Sequence, residues 1–223
     1  MEQKKHIVIF SHGFGTRKDD RGLLSDIANS FSETQSMLFD YNGVDETGKI
    51  LTIPLLSVQA ETLMELINKV RTENPDAIID IVAHSQGCVV VALTKPTGIR
   101  KVIFITPSLD NSTERLLNLF KNRPGTEINL LGVSKLMRKD GTISIVPTEF
   151  WQEREKTIPI PIYNEFFSKT ELIIINAKQD DIHDSSKTEG INEKIKIIEL
   201  DGDHQFSGES RKSLINIIKN ELM

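Results

Sequence analysis

The chain holds one cysteine, one tryptophan and two tyrosines among 223 residues. With Cys88 alone, no intrachain disulfide can form, which suits a reducing compartment. No apolar run approaches the roughly 18 residues of a membrane span. The apolar run after Met1–His6 is too short for a signal segment and no cleavage site follows it. These readings predict a cytoplasmic protein with no membrane span. Basic charge is also scarce: 27 Lys and Arg stand against 32 Asp and Glu, a net charge of −5. Lys4-Lys5 and Arg100-Lys101 are short flanking pairs, so no nucleic-acid partner is expected. No Cys/His group has metal-ligand spacing, and neither a Walker loop nor a GxGxxG is present, so no metal and no cofactor is expected.

What is present is an ordinary globular composition, 38% hydrophobic and 26% charged. It suits one moderate domain, or a core with one insertion. Short apolar runs recur at Ile7–Phe10, Met37–Phe39, Ala77–Ala83, Val102–Ile105, Leu172–Ile175 and Lys194–Ile198. Amphipathic helical stripes separate them: Leu24, Ile27, Ala28 and Phe31; Ala60, Leu63, Met64, Ile67 and Val70; Leu214, Ile217, Ile218 and Leu222. Strands alternating with helices imply βαβ units, and hence an α/β fold with a mostly parallel sheet of about six strands and helices on both faces. Val44–Pro54 reads as a polar loop. The alternation breaks over residues 107–168, which we read as a cap inserted between the fourth and fifth strands. Residues 1–106 and 169–223 then form the core. Inside the insertion, Asn111 with Glu114 resembles a helix N-cap and its partner. Lys139–Thr142 reads as a turn leading into Ile143–Val146, and Ile158–Pro161 as extended.

The chemistry gathers at His84-Ser85-Gln86-Gly87. A serine between a strand and a helix presents its hydroxyl at a sharp turn, the nucleophile elbow. Such a serine needs a base, a group that orients the base, and donors for the oxyanion. In this arrangement acid and base follow the serine, in that order. Of the five histidines, His183 and His204 do so. His204 lies between the sixth strand and the last helix and is the expected base. His183, in the loop 180–186, is the reserve and is expected to be exposed. Asp180 and Asp181 both follow the fifth strand and either can be the acid; Asp110 is a weaker option. The oxyanion donors are expected from the backbone N–H groups of Gln86 and of Phe14, in the His12-Gly13-Phe14-Gly15 loop. His12 is expected to hold that loop by hydrogen bonds. Ala83 stands where the elbow often has glycine, and Cys88 reads as a buried spacer.

Together these segments resemble the capped α/β-hydrolases that include feruloyl and cinnamoyl esterases and monoacylglycerol lipases. His12-Gly13-Phe14 resembles their HGF loop and His84-Ser85-Gln86-Gly87 their HSQG elbow. Phe39–Gly48 resembles their DFRGHGxSxG segment, with Asn42 and Val44 departing from its arginine and histidine. Ile175–Ile182 resembles the acid-bearing segment, which puts the acid at Asp180, and Gly202–Phe206 resembles the ending that carries the base. Arg138–Gly141 and Glu149–Trp151 look like the cap of the esterase branch. The resemblance implies hydrolysis of a small carboxylic ester through an acyl-enzyme, or the same machinery acting on a thioester, amide or carbon–carbon bond. A non-catalytic interaction protein on this scaffold is the remaining reading. Phe120, Phe150 and Trp151 are candidates for the substrate pocket, or else form the insertion's own core.

Overall fold

The computed structural model describes residues 4–183 and 188–223. Residues 184–186 of the loop expected to expose His183 therefore lie outside the described residues. In chain order the elements are β1 (His6–Ser11), α1 (Leu23–Asn29), β2 (Gln35–Leu38), β3 (Gly43–Val44), β4 (Ile50–Thr52), α2 (Leu56–Glu73), β5 (Ile78–His84) and α3 (Gln86–Thr94). There follow β6 (Lys101–Ile105), α4 (Thr113–Asn118), β7 (Ser134–Met137), β8 (Ile143–Val146), α5 (Thr148–Lys156), α6 (Pro159–Phe167), β9 (Glu171–Ala177), β10 (Lys196–Leu200) and α7 (Glu209–Leu222).

The main sheet has six strands in the order β10-β9-β6-β5-β1-β2, and each neighbouring pair is parallel. Its inner strands are largely apolar because both faces are covered, with Asp80 a buried exception in β5. Side chains alternate between those faces. Ile7, Ile9, Ile81, Val102, Phe104, Leu172 and Ile174 join one core with residues of α2, α3 and α6. Val8, Phe10, Val82, Ile103, Ile105, Ile173 and Ile175 join the other with residues of α1 and α7. The strand order reverses between β1 and β5. A crevice opens at the carboxyl ends of strands at such a switch point. The His12–Gly15 loop leaves β1 there, and the Ser85 turn leaves β5.

A second sheet, β3-β4-β8-β7, corrects the reading of Val44–Pro54 as a loop. Ile50, Leu51 and Thr52 pair in parallel with Ile143, Ser144 and Ile145. The sheet thus draws on the segment after β2 and on residues 107–168 together. The β7–β8 hairpin turns where Lys139–Thr142 led us to expect. Ile158–Pro161 is not extended: α6 begins at Pro159. Proline is tolerated in the first helical turn, where its missing N–H has no intrahelical partner to lose. The N-cap of α4 is Ser112 rather than Asn111, its side chain accepting from the Arg115 N–H.

Candidate active site

Ser85 is the N-cap of α3 with φ 54° and ψ −122°. A non-glycine residue rarely adopts positive φ, and holding one there costs about 1–3 kcal/mol. The turn is fixed by its surroundings. The Ser85 N–H donates to the Ile105 carbonyl at 3.0 Å, and the Cys88 N–H to the Ser85 carbonyl at 3.1 Å. Gly87 carries the closest approach. A Cβ there would lie 2.4 Å from the Ser11 carbonyl oxygen and 2.7 Å from that of His12. Only glycine lets α3 dock this tightly on the end of β1. Ala83 and Cys88 are fully buried behind the turn, and burial pushes the Cys88 thiol pKa well up.

The His12–Gly15 loop lies against the elbow. A Cβ on Gly13 would stand 3.2 Å from the Ser85 Cβ. His12 holds the loop in shape. Its Nε2 accepts from the Tyr41 N–H at 3.0 Å, and its Nδ1 donates to the Gly13 carbonyl at 3.0 Å. Burial pushes its pKa down, in keeping with this neutral form. Gln86 opens α3, where the first N–H groups have no intrahelical acceptor and the helix dipole favours negative charge.

Three imidazoles surround Ser85. His204 Nδ1 lies 2.9 Å from Asp180 Oδ2, and Asp180 Oδ1 accepts the backbone N–H groups of Ile182 and His183, each at 2.8 Å. Burial works to raise the Asp180 pKa, but the His204 bond and these N–H donors outweigh it and hold it low. Burial lowers the His204 pKa, with Asp180 opposing. His183 is partly buried, correcting the expectation of an exposed residue, and its Nε2 lies 3.4 Å from Ser85 Oγ. Its ring meets the His204 ring edge-on at 5.0 Å. Burial, then the nearby His204, pushes the His183 pKa well down, and its Nδ1 has no partner among the described residues. The third ring, His84, donates from Nδ1 to Asp20 Oδ2 at 2.7 Å and from Nε2 to the His204 carbonyl at 3.0 Å.

Ser85, Gln86, Phe14, His183 and His204 line one hollow with Phe120. Asp180 stands behind it through His204. Asp181, the other candidate acid, lies on the rim and is exposed. Among the described residues, the other two aromatic candidates do not line the hollow. Phe150 is fully buried in the core against the Phe14 ring, and Trp151 lines a separate groove on the far side of α4 and α5. Asp20 and Arg154 escaped the sequence reading, and Arg138 entered it only within the segment that resembles the esterase-branch cap. Asp20 sits in Lys18-Asp19-Asp20-Arg21, which carries every sign of a solvated loop, yet it is fully buried.

Solved structures share this architecture. The esterase domain of a Rhodothermus marinus protein superposes with a TM-score of 0.68 at 15% identity, covering 99% of this chain and 87% of that one. Est1E from Butyrivibrio proteoclasticus with ferulic acid bound gives 0.69 at 14%, covering 98% and 90%. A monoacylglycerol lipase from Paleococcus ferrophilus gives 0.65 at 14%, covering 97% and 93%. The fold is that of the α/β-hydrolases. No protein-family model matches the chain, and no curated protein matches it significantly in sequence. Among the described residues, no helix of this α/β-hydrolase fold is long and apolar enough to cross a membrane.

Proposed function

We propose that this chain hydrolyses small carboxylic esters with Ser85 as nucleophile, His204 as base and Asp180 as its orienting acid. The observation that carries the reading is Ser85 held at positive φ on the N-terminus of α3, lining one hollow with a histidine whose Nδ1 meets a buried carboxylate. Asp180 fixes the tautomer of His204, leaving Nε2 as the free basic nitrogen. Ser85 Oγ attacks the ester carbonyl as its proton passes to His204. The backbone N–H groups of Phe14 and Gln86 bind the oxygen that becomes negative. His204 returns the proton to the departing alcohol, and water repeats the sequence on the acyl-enzyme. Residues 107–168 act as the cap, with Phe120 against the substrate. The fold shared with esterases and a lipase supports this reaction class.

The test is labelling by a fluorophosphonate together with turnover of an ester panel varied in acyl length. Ser85→Ala should abolish both; activity that persists in that variant removes Ser85 from the mechanism. A second reading makes His183 the base, on the strength of its 3.4 Å approach to Ser85 Oγ. It is the weaker of the two, because among the described residues no carboxylate binds the His183 ring, and the contact is long for a hydroxyl-to-nitrogen bond. His204→Ala should cost at least about a hundredfold in kcat if His204 is the base. A larger loss in His183→Ala would reverse the assignment.

A further inference from the structure

The hollow in front of Ser85 is rich in cations, in a chain whose net charge is −5. Arg21, Arg123, Arg138, Lys139 and Arg154 line it. The acids that line it are Asp20, Asp181 and Asp203. Asp20 Oδ2 is bound to His84 and to the Gly13 N–H, while its buried Oδ1 has no hydrogen-bond partner among the described residues; Asp203 Oδ1 accepts the N–H groups of Gln205 and Ser207. Asp181 is on the rim. Among the described residues, Arg21, Arg123, Arg138 and Arg154 enter no ion pair.

Arg138 is the most telling of these. It is only 8% exposed, and its Nε is buried with no hydrogen-bond partner among the described residues. Its Nη1 donates to the Phe14 carbonyl at 3.3 Å, so it sits directly behind the proposed oxyanion loop. Gly15, at φ 59°, makes room for it: a Cβ there would come within 2.5 Å of Arg138 Nη1. Arg123 stacks on the Phe120 ring at 4.4 Å, and Arg138 approaches the same ring at 5.9 Å. Burial, then the nearby Arg21 charge, pushes the Arg138 pKa down to about 10, with Arg123 acting in the same direction. Asp140 and Asp20 oppose this shift, but neither forms an ion pair with Arg138, and Asp140 Oδ1 accepts the Thr142 N–H and hydroxyl. A buried guanidinium without a carboxylate is costly, and proteins usually pair it.

We propose that the substrate of this site is an ester that also bears an anionic group, a carboxylate or a phosphate, and that Arg138, Arg123 and Arg21 receive that group. A guanidinium fork matches either oxyanion through paired N–H donors. Phe120 supplies the apolar floor between Arg123 and Arg138. The proposal rests on the ester-hydrolase reading and narrows its substrate class.

The experiment compares matched esters on the intact protein. Monomethyl glutarate is set against methyl pentanoate, and a butyryl glycerol phosphate against monobutyrin. The anionic member of at least one pair should have the higher kcat/KM by about tenfold or more, the worth of a hydrogen bond to a charged group. Which pair shows it distinguishes carboxylate from phosphate. The preference should shrink by about tenfold in Arg123→Gln, and also in Arg21→Gln, where the residue is exposed. Arg138→Gln is informative only if its thermal unfolding stays cooperative. Equal turnover of both members of each pair overturns the proposal and leaves the ester reading standing. If no ester is cleaved and the fluorophosphonate fails to label, the ester reading falls, and calorimetry with glutarate and with inorganic phosphate decides the anion site by itself. Saturable binding weakened in Arg123→Gln sustains the site; no binding of either anion overturns it.

Discussion

The carboxylate of Asp20 meets the ring of His84 at 2.7 Å, with both side chains shut away from solvent. The His204 carbonyl and the Asp20 carboxylate can only accept, so each His84 nitrogen faces an acceptor. The same carboxylate oxygen accepts the Gly13 N–H at 2.8 Å. One ion pair thereby ties together the loop after β1, the turn after β5 and the loop after β10. Burial works to raise the Asp20 pKa, but His84 outweighs it and the net shift is strongly downward.

Asp20→Asn leaves His84 without its countercharge. Breaking a buried pair in this way is expected to cost roughly 3–5 kcal/mol, read as a lower urea midpoint. A depressed carboxylate pKa contributes stability above its unfolded value and loses it as pH falls through the folded one. The gap between the variant and the parent should therefore narrow below about pH 3.8. Equal urea midpoints at neutral pH would show that the pair contributes nothing.

The pH dependence of turnover follows from His204. The proposed base works only when neutral, and burial lowers its pKa below the ordinary 6.5. Protonation therefore sets in later as the medium is acidified. The acid limb of kcat/KM should have its midpoint below 6.5. A midpoint above that value would contradict a desolvated His204 acting as base.

Gly87→Ala tests the close approach of α3 to β1. The new methyl would meet two backbone carbonyl oxygens, which cannot swing aside as a flexible side chain could. The helix has to shift and carry Ser85 with it. Displacing a reacting group by about 1 Å costs about a hundredfold. Fluorophosphonate labelling should slow by at least that factor while the far-ultraviolet circular dichroism keeps its shape.

Asp80 lies near the opposite end of β5 and tests the scaffold without the chemistry. Its carboxylate is fully buried and binds Arg100, the Lys101 N–H at 3.1 Å and His6 at 2.7 Å. Asp80→Asn should lower the unfolding free energy by about 1–3 kcal/mol. The ratio of kcat/KM between any two esters should stay as it was, measured at a temperature where the variant remains folded.

The main sheet was legible because its inner strands are largely apolar, β5 being broken by Asp80, and the sequence reports such runs directly. The turn at Ser85 was legible because one apolar run ends just before it and another begins at Cys88. β3 and β4 were not, because two- and three-residue strands leave no periodic trace; Ile50 and Thr52 are exposed, and only pairing with a hairpin far along the chain orders them. Pro159 misled us because proline excludes the helix interior but not its first turn. Asp20 and Arg138 were hidden for a common reason. Charge in a sequence reads as surface, and only tertiary structure supplies the partner or the cavity that brings it inside.

The parallel pairing of β4 with β8 bears on how a substrate reaches Ser85. An inserted flap held only by its two chain crossings could pivot on them. Residues 107–168 have a third mounting, because their strand β8 pairs with Ile50–Thr52, a segment between β2 and α2. Lifting them would rupture main-chain hydrogen bonds instead of bending a hinge. For the proposed cap, this pairing favours a fixed entrance over a swinging one.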